Sequence, residues 1–315
     1  MNKPSKENTA KTAYLIHTEQ YANWVFDPSH PTQGRRFINA RNQFIDSMQA
    51  AGDEVVEIEP RMATRAELER VHSSQYLDEV LNEHRTSQWS GPRPDLAELA
   101  ATFAGGTLTA LELLLRGITT TAIHFPGAKH HAQYDHSSGF CIFADFALAA
   151  DIATSDFGKK VAILDIDAHH GDGTENLTAD NPNVMTFSIH EKGIFPGTGN
   201  EDQEDKKVFN FPLPATGLDG ELGKGDFALA CGVNLFLQRA QEFNPDLIFI
   251  ACGADGHQED PLSSLQYSVA GYTSVAEQIR KIYPDMPILM GGAGGYLPDS
   301  RTPEVWSSFA QQLSQ

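Results

Sequence analysis

Asp165-Ile-Asp-Ala-His-His170-Gly-Asp172 sets carboxylates and imidazoles at alternate positions just where an apolar run ends. Residues 161–166 are mostly apolar around Asp165 and read as a buried strand of a parallel sheet. Residues two apart in an extended chain share a face, so Asp165, Asp167 and His169 are expected to point the same way as the strand ends. The carboxyl end of an α/β strand is where such folds place ligands. With Asp255 as a third donor, Asp167 and His169 can hold one metal ion and leave coordination positions open for water and substrate. Two carboxylates and one imidazole suit zinc, and also Fe2+ or Mn2+. The tandem His130-His131 offers a general base and an electrostatic partner. Each of those imidazoles needs an orienting carboxylate, and Asp165 and Asp172 are left for that work. Tyr296, after the glycine-rich stretch 291–295, can donate a hydrogen bond to a developing oxyanion.

Each of these residues also has a plain structural reading. Histidine pairs occur on surfaces, and Asp255 could cap a helix. The stretch 291–295 has neither the Lys-Ser/Thr of a P-loop nor the GxGxxG order. Cys141 reads as a small wall residue beside the site rather than a nucleophile. Phe140 and Phe195 could be core, or the walls of an aromatic tunnel.

The elements that must position these groups follow from periodicity. Strands are expected at 13–17, 54–58, 121–125, 161–166, 184–189, 247–252 and 287–290. Phe37, Ala40, Phe44 and Met48 recur at helical spacing between the first two, and 71–81, 96–116, 143–155, 226–243, 268–282 and 303–313 read as further helices. Val275, Ile279 and Ile282 make one apolar stripe, and Gly105-Gly106 reads as close helix packing. This alternation predicts an α/β chain with a mostly parallel central sheet flanked by helices, in a single domain over 12–315 after a flexible tail at 1–11. Polar or glycine-rich chemistry follows five of the core strands at the same end, which describes an active-site rim. Residues 191–227, rich in Gly, Pro and Asp, read as a long functional loop.

Composition narrows the class. The chain has 315 residues, 40% of them hydrophobic, and its apolar stretches are read as too short to span a membrane. The polar N-terminus lacks a signal-peptide core, and the three cysteines are scattered without a CxxC pair, so a cytoplasmic location is expected. A net charge of −19 disfavours nucleic-acid binding. It is compatible with steering of cationic substrates and equally with an acidic surface that keeps the protein soluble.

Taken together the motifs resemble those of the zinc-dependent histone deacetylase superfamily, over roughly 30–296. They run in order: His30-Pro…Arg36, Val71-His-Ser-Ser-Gln-Tyr76, Gly105-Gly-Thr, His130-His-Ala, Ser138-Gly-Phe-Cys141, the Asp165–Gly173 run, Ser188-Ile-His190, Phe195-Pro-Gly-Thr-Gly199, Gly253-Ala-Asp255 with Asp260-Pro, and Gly294-Gly-Tyr296. Gly127-Ala-Lys-His-His is closer to the class I and bacterial acetoin-utilisation form than to the Pro-Pro-Gly-His-His form of class II and polyamine deacetylases. The resemblance implies the arginase–deacetylase fold. It also implies zinc on Asp167, His169 and Asp255, His131 as general base, and His130 as its electrostatic partner. Asp172 and Asp165 then stand behind the two histidines, and Tyr296 serves the oxyanion. Structural K+ is implied on the side chains of Asp165 and Ser188 and the carbonyls of Asp167, His169 and Ile189. Phe140 and Phe195 match the tunnel walls, and Gly139, Gly294, Gly295, Arg36 and Lys129 fall around the substrate, Arg36 near an internal acetate pocket. Three departures stand out. Lys129 replaces a hydrophobic floor residue, 87–95 has no clear match for the acidic rim residue, and Phe143-Ala-Asp-Phe146 lacks the usual Asn.

The expected activity is metal-dependent removal of acetyl or related short acyl groups from lysine side chains, in protein or peptide, or from similar small amines. The alternatives are an acetylpolyamine amidohydrolase, an arginase-like manganese ureohydrolase, and a non-catalytic acyl-ligand-binding protein. Substrate identity and oligomeric state stay open.

Overall fold

The apolar runs assemble into one eight-stranded sheet in which every pairing is parallel. The structure, a computed structural model, describes residues 10–215 and 225–315. Residues 1–9 of the expected tail and 216–224 of the expected long loop lie outside the described residues. The strands are β1 (Thr12–Ile16), β2 (Glu54–Ile58), β3 (Thr121–His124), β4 (Val161–Asp165), β5 (Val184–Glu191), β6 (Val208–Leu213), β7 (Leu247–Ala251) and β8 (Ile288–Gly291), in the order β2-β1-β3-β8-β7-β4-β5-β6. The five strands β3, β4, β5, β7 and β8 are buried at every position, as a parallel sheet covered on both faces requires. Register sets the ends of four of them level. Asp165 pairs with Ala251, Ala251 with Gly291, and Gly291 with His124. The segments that follow these four residues therefore meet on one side of the sheet, which is how distant motifs become neighbours.

The helices are α1 (Arg35–Ala51), α2 (Arg65–Leu68), α3 (Ser74–Leu81), α4 (Pro94–Leu115), α5 (Asp145–Ser155), α6 (Asp172–Thr178), α7 (Asp226–Phe243), α8 (Val269–Ile282) and α9 (Arg301–Leu313). The stripe Phe37, Ala40, Phe44 and Met48 is fully buried on α1, and Gly52 ends that helix in the left-handed conformation at φ 81°. Adding a Cβ at Gly105 would bring it within 2.5 Å of the Arg61 and Ala63 backbone, so the glycine pair does serve close packing.

Several sequence expectations need correction. The helix expected at 71–81 starts at Ser74, as α3, and the short helix α2 that precedes it was not expected. Thr64 and Glu67 form a capping box that starts α2, and the Ser73 hydroxyl accepts from Tyr76 N–H to start α3. The loop expected at 191–227 contains β6, whose edge position tolerates the polar neighbours that masked it. In the expected stripe on α8, Val275 and Ile279 are buried but Ile282 is exposed. Helix α4 is, by length and composition, long and apolar enough to cross a membrane, contrary to the sequence reading. Here it packs on α5, α3, β1, β3 and β8, and 72% of its most apolar window is buried.

Trp306 on α9 ties the last helix to the sheet. Its ring is fully buried and stacks between Phe37 and Phe125 at 5.9 Å from each, and its Nε1–H donates to the Cys252 carbonyl at 2.9 Å. Trp306→Ala is expected to cost about 3–5 kcal/mol in urea unfolding at unchanged m-value. A loss under 1 kcal/mol would contradict this account of the packing.

Candidate active site

Asp167, His169 and Asp255 meet just past the ends of β4 and β7. One donor atom from each lies within 4.8 Å of the others, and all three residues are buried. His169 Nδ1 is 2.8 Å from Asp255 Oδ2 and 3.2 Å from Asp167 Oδ1. Backbone amides hold the carboxylates from behind. Gly294 N–H donates to Asp167 Oδ2 at 2.7 Å and Ala168 N–H to Asp255 Oδ1 at 2.9 Å. A Cβ at Gly294 would come within 2.6 Å of both carboxylates, which explains that glycine. Burial and then Asp167 push Asp255 up to about 7. Burial opposes charge on His169, yet its hydrogen bonds to Asp167 and Asp255 outweigh that and raise it to about 11. Two buried carboxylates facing one imidazole are an electrostatic demand for a cation, and the donor set fits a divalent ion of the zinc, iron or manganese type.

The chain leaves the strand at Asp165, so the alternation expected through His169 stops there. Asp165 Oδ2 lies 2.7 Å from His130 Nδ1, and its Oδ1 accepts from Asp167 N–H at 3.0 Å. Asp172, the first residue of α6, holds His131 Nδ1 at 2.7 Å, and Gln133 Nε2–H donates to the other Asp172 oxygen. The two imidazoles are 4.0 Å apart, centroid to centroid. Their environments separate them. Burial opposes charge on His130, but Asp165 and Asp167 override it and raise His130 to about 9. Burial and the neighbouring His130 lower His131 to about 4. At neutral pH the pair is therefore one imidazolium and one neutral imidazole.

His131 and His169 open into a cavity of about 420 Å³ walled by Gly139, Phe140, Phe195, Ile194, Leu262, Gln88 and Tyr296. Phe195 is half exposed and meets His131 edge-on at 5.0 Å, so both phenylalanines are pocket walls rather than core. Tyr296 stands edge-on to Phe140 at 6.1 Å, and its N–H donates to Asp260. Burial, and then Asp255 and Asp167, hold its phenol well above the usual range, so it stays a donor. A second, smaller cavity lies behind. Arg36, Lys129, His130, Cys141, Gly294 and Tyr296 are among the residues that line it. Cys141 is pushed up to about 12, first by burial, which makes it an inert wall thiol.

Two expected positions fall elsewhere. Gly295 lies outside the lining of both cavities, and its carbonyl accepts from Arg36 Nη1 at 2.7 Å. Asp165 and Ser188 line a separate space of about 10 Å³ between β4 and β5. The carbonyls of Asp167 and His169 accept no backbone hydrogen bond among the described residues, while Ile189 sits buried in β5. Asp167, His169 and Ile189 are not among the residues lining that space, and Ser188 Oγ lies 2.9 Å from His190 Nδ1.

Some residues escaped sequence reading. Asp145, in the Phe143–Phe146 stretch, is fully buried and accepts from Ala128 N–H, Lys129 N–H and the Thr107 hydroxyl. It fixes the turn before His130, including Ala128 at φ 66°. Gln88 occupies the rim stretch and accepts from Phe140 N–H at 2.9 Å through Oε1.

A histone deacetylase domain model matches residues 30–313. The chain belongs to this family. Acetoin utilization protein AcuC of Staphylococcus aureus (strain MRSA252) is 29% identical over 96% of this chain and 81% of its own length. AcuC of Bacillus subtilis (strain 168) is 29% identical over 94% of this chain and 81% of its own length. Histone deacetylase 10, chloroplastic, of Oryza sativa subsp. japonica is 28% identical over 98% and 75%. The solved HD domain of HDA15 superposes with a TM-score of 0.81, at 24% identity, over 96% of this chain and 91% of that one, which establishes the arginase–deacetylase fold. Family membership supports hydrolase activity of the deacetylase type and a metal ion at the site.

Within this deacetylase site Gly139 is placed with little tolerance. It has φ 50°, and a Cβ there would lie 2.3 Å from His131 Cδ2. Gly139→Ala is expected to lower kcat at least tenfold by displacing His131, with about 1–3 kcal/mol lost in stability. Steady-state kinetics and urea unfolding of the variant check both effects.

Proposed function

We propose that the protein is a zinc-dependent amidohydrolase that removes acetyl or a similarly short acyl group from the amine of a lysine side chain or a small amine. The observation that carries this reading is the histidine pair beside the Asp167–His169–Asp255 triad, each imidazole backed by its own carboxylate at 2.7 Å. A divalent ion held by the triad supplies Lewis acidity to the amide carbonyl and to attacking water. His131 gives its Nδ1–H to Asp172, which leaves Nε2 as the acceptor that takes the proton of that water. His130 stays protonated against Asp165 and balances the charge gathered during attack. Tyr296 O–H donates to the carbonyl oxygen as negative charge develops there. The His131 imidazolium then returns the proton to the leaving amine. Phe140 and Phe195 flank the acyl-bearing methylene chain, and Gly139 and Gly294 let that chain and the carboxylates approach closely. K+ on Asp165, Ser188 and the neighbouring carbonyls would brace the floor beneath His130.

The ureohydrolase alternative calls for a second set of metal ligands. Among the described residues a single three-member ligand group is found. A binding-only role leaves the carboxylate-backed His131 without a task. Gln88 at the rim provides no negative charge to grip a peptide backbone, which favours small acylated amines or loosely held peptides.

The test is turnover of a fluorogenic acetyl-lysine substrate by zinc-loaded protein, with His131→Ala and Tyr296→Phe measured in parallel. Activity abolished in both variants supports the reading. Absence of turnover by the wild type on acetyl-lysine, longer acyl-lysines and acetylpolyamines overturns it, and urea release with manganese would replace it.

A further inference from the structure

One wall of the outer pocket is held by side chains and not by the backbone. Leu262 lines that pocket and is 39% exposed. Residues 261–264 make no backbone–backbone hydrogen bond among the described residues. Asp260 Oδ1 accepts from Leu262 N–H at 3.0 Å, and the Ser263 hydroxyl donates to the Asp255 carbonyl at 2.6 Å. Both of these anchors belong to the site already described, through the triad and the Tyr296 amide. The third anchor takes no part in the proposed chemistry. Glu191, the last residue of β5, is buried, and its two oxygens accept from the Ser264 N–H and the Ser264 hydroxyl, each at 2.6 Å. Its own N–H donates to the Ala168 carbonyl at 2.9 Å, which fixes this strand end to the segment that carries Asp167 and His169. Among the described residues the Glu191 carboxylate pairs with no cation. Burying such a carboxylate is costly, and two short charge-assisted bonds to one residue offset that cost. The preceding residue holds another wall in the same way. His190 Nε2–H donates to the Gly199 carbonyl at 3.0 Å, in the loop that bears Phe195.

We propose that Glu191 is a positioning residue for substrate choice: through Ser264 it fixes Leu262, so that the outer pocket accepts an unbranched methylene chain on the amine and rejects a wider one. This rests on the deacylase reading, in which Phe140 and Phe195 flank that chain. Leu262 lines the same pocket, while Glu191 is absent from its lining and reaches the substrate only through the wall it holds. With the Ser264 bonds cut, the segment keeps only the Asp260 and Ser263 anchors. A half-exposed leucine held at one end yields to a wider group, and discrimination by shape is lost.

The experiment measures kcat/KM of zinc-loaded wild type, Glu191→Gln, Leu262→Ala and the double variant on two acetylated amines of equal carbon count, N-acetylheptylamine and N-acetylcyclohexylmethylamine. Both amides are neutral, so shape alone separates them. Calorimetry measures binding of the same two amides to each protein. Gln matches Glu in size and buries no charge, so the variant is expected to fold. Ser264→Ala cuts one of the two bonds from the other side and reads the same quantity should it not. The wild type is expected to favour the linear amide, and Glu191→Gln to lose about tenfold of that preference, the size of one methylene contact. Leu262→Ala is expected to lose at least as much, and Glu191→Gln to change the ratio no further when added to it, because the wall it acts through is already gone. A purely structural Glu191 would instead lower activity on both amides alike and leave the ratio where it was. An unchanged ratio in Glu191→Gln or, where that variant does not fold, in Ser264→Ala overturns the proposal. So do additive losses in the double variant, and so does a wild type that shows no preference or neither binds nor hydrolyses the linear amide. Binding preferences that shift as described, with no hydrolysis of either amide, would leave the Glu191 assignment standing and sink the deacylase reading instead.

Discussion

His131→Ala is expected to lower kcat on acetyl-lysine by about 10²–10⁴-fold, the span a positioned general base contributes. Burial and the charged His130 keep His131 near 4, so at pH 7 it is an acceptor and not an acid. Its Nδ1–H is taken by Asp172, which fixes the tautomer and leaves Nε2 for the attacking water. Gly139 and Phe195 pack on two sides of the ring, so neither water nor another side chain can readily take its place. Removing the ring still leaves Asp172 bonded to Gln133, so the destabilisation should be about 1–3 kcal/mol and kinetics measured well below Tm will report catalysis. Retention of activity within tenfold of wild type would mean that the base is elsewhere.

Tyr296→Phe is expected to cost about 10²–10³-fold in kcat with KM little changed, the loss typical of one oxyanion donor. The phenol has no hydrogen-bond partner among the described residues, and the backbone at this position is held independently by Asp260. The ring contact with Phe140 survives the substitution. Stability should therefore change by less than about 1 kcal/mol. Burial, Asp255 and Asp167 all raise the phenol, so it remains protonated across pH 6–9 and the ratio of wild-type to variant kcat should be flat there. A ratio that collapses toward pH 9 would show that the donor titrates, and a rise in KM at constant kcat would assign Tyr296 to ground-state binding.

Much of the site was legible because its chemistry is written in local runs. The residues of the Asp165–Asp172 segment, the histidine pair and the glycine-flanked Tyr296 each follow a strand, and parallel strands put their carboxyl ends on one side. Asp145 was not legible in that way. Its neighbours in sequence are apolar, and its role depends on two amides and a hydroxyl brought from 128–129 and from α4. Gln88 and Leu262 were invisible for the same reason, since each faces the pocket from a loop with no periodicity.

Most elements and their order could be read from the residues alone, though β6, α2 and α6 were not among them. Apolar runs too uniformly hydrophobic for a one-sided sheet had to be buried strands, and the stripe from Phe37 to Met48 had to be a helix face, because these patterns are properties of 2.0- and 3.6-residue periods. The tertiary structure alone decided which groups touch. Alternation put Asp165, Asp167 and His169 on one face, yet the strand ends at Asp165, which turns to His130 while the other two meet Asp255. Sequence also registered Lys129 as an odd residue, but only the fold sets it against Phe37 and Phe103 with Arg36 lining the same cavity. Pairing, burial and charge balance depend on register across non-consecutive strands, and a linear pattern carries no term for register.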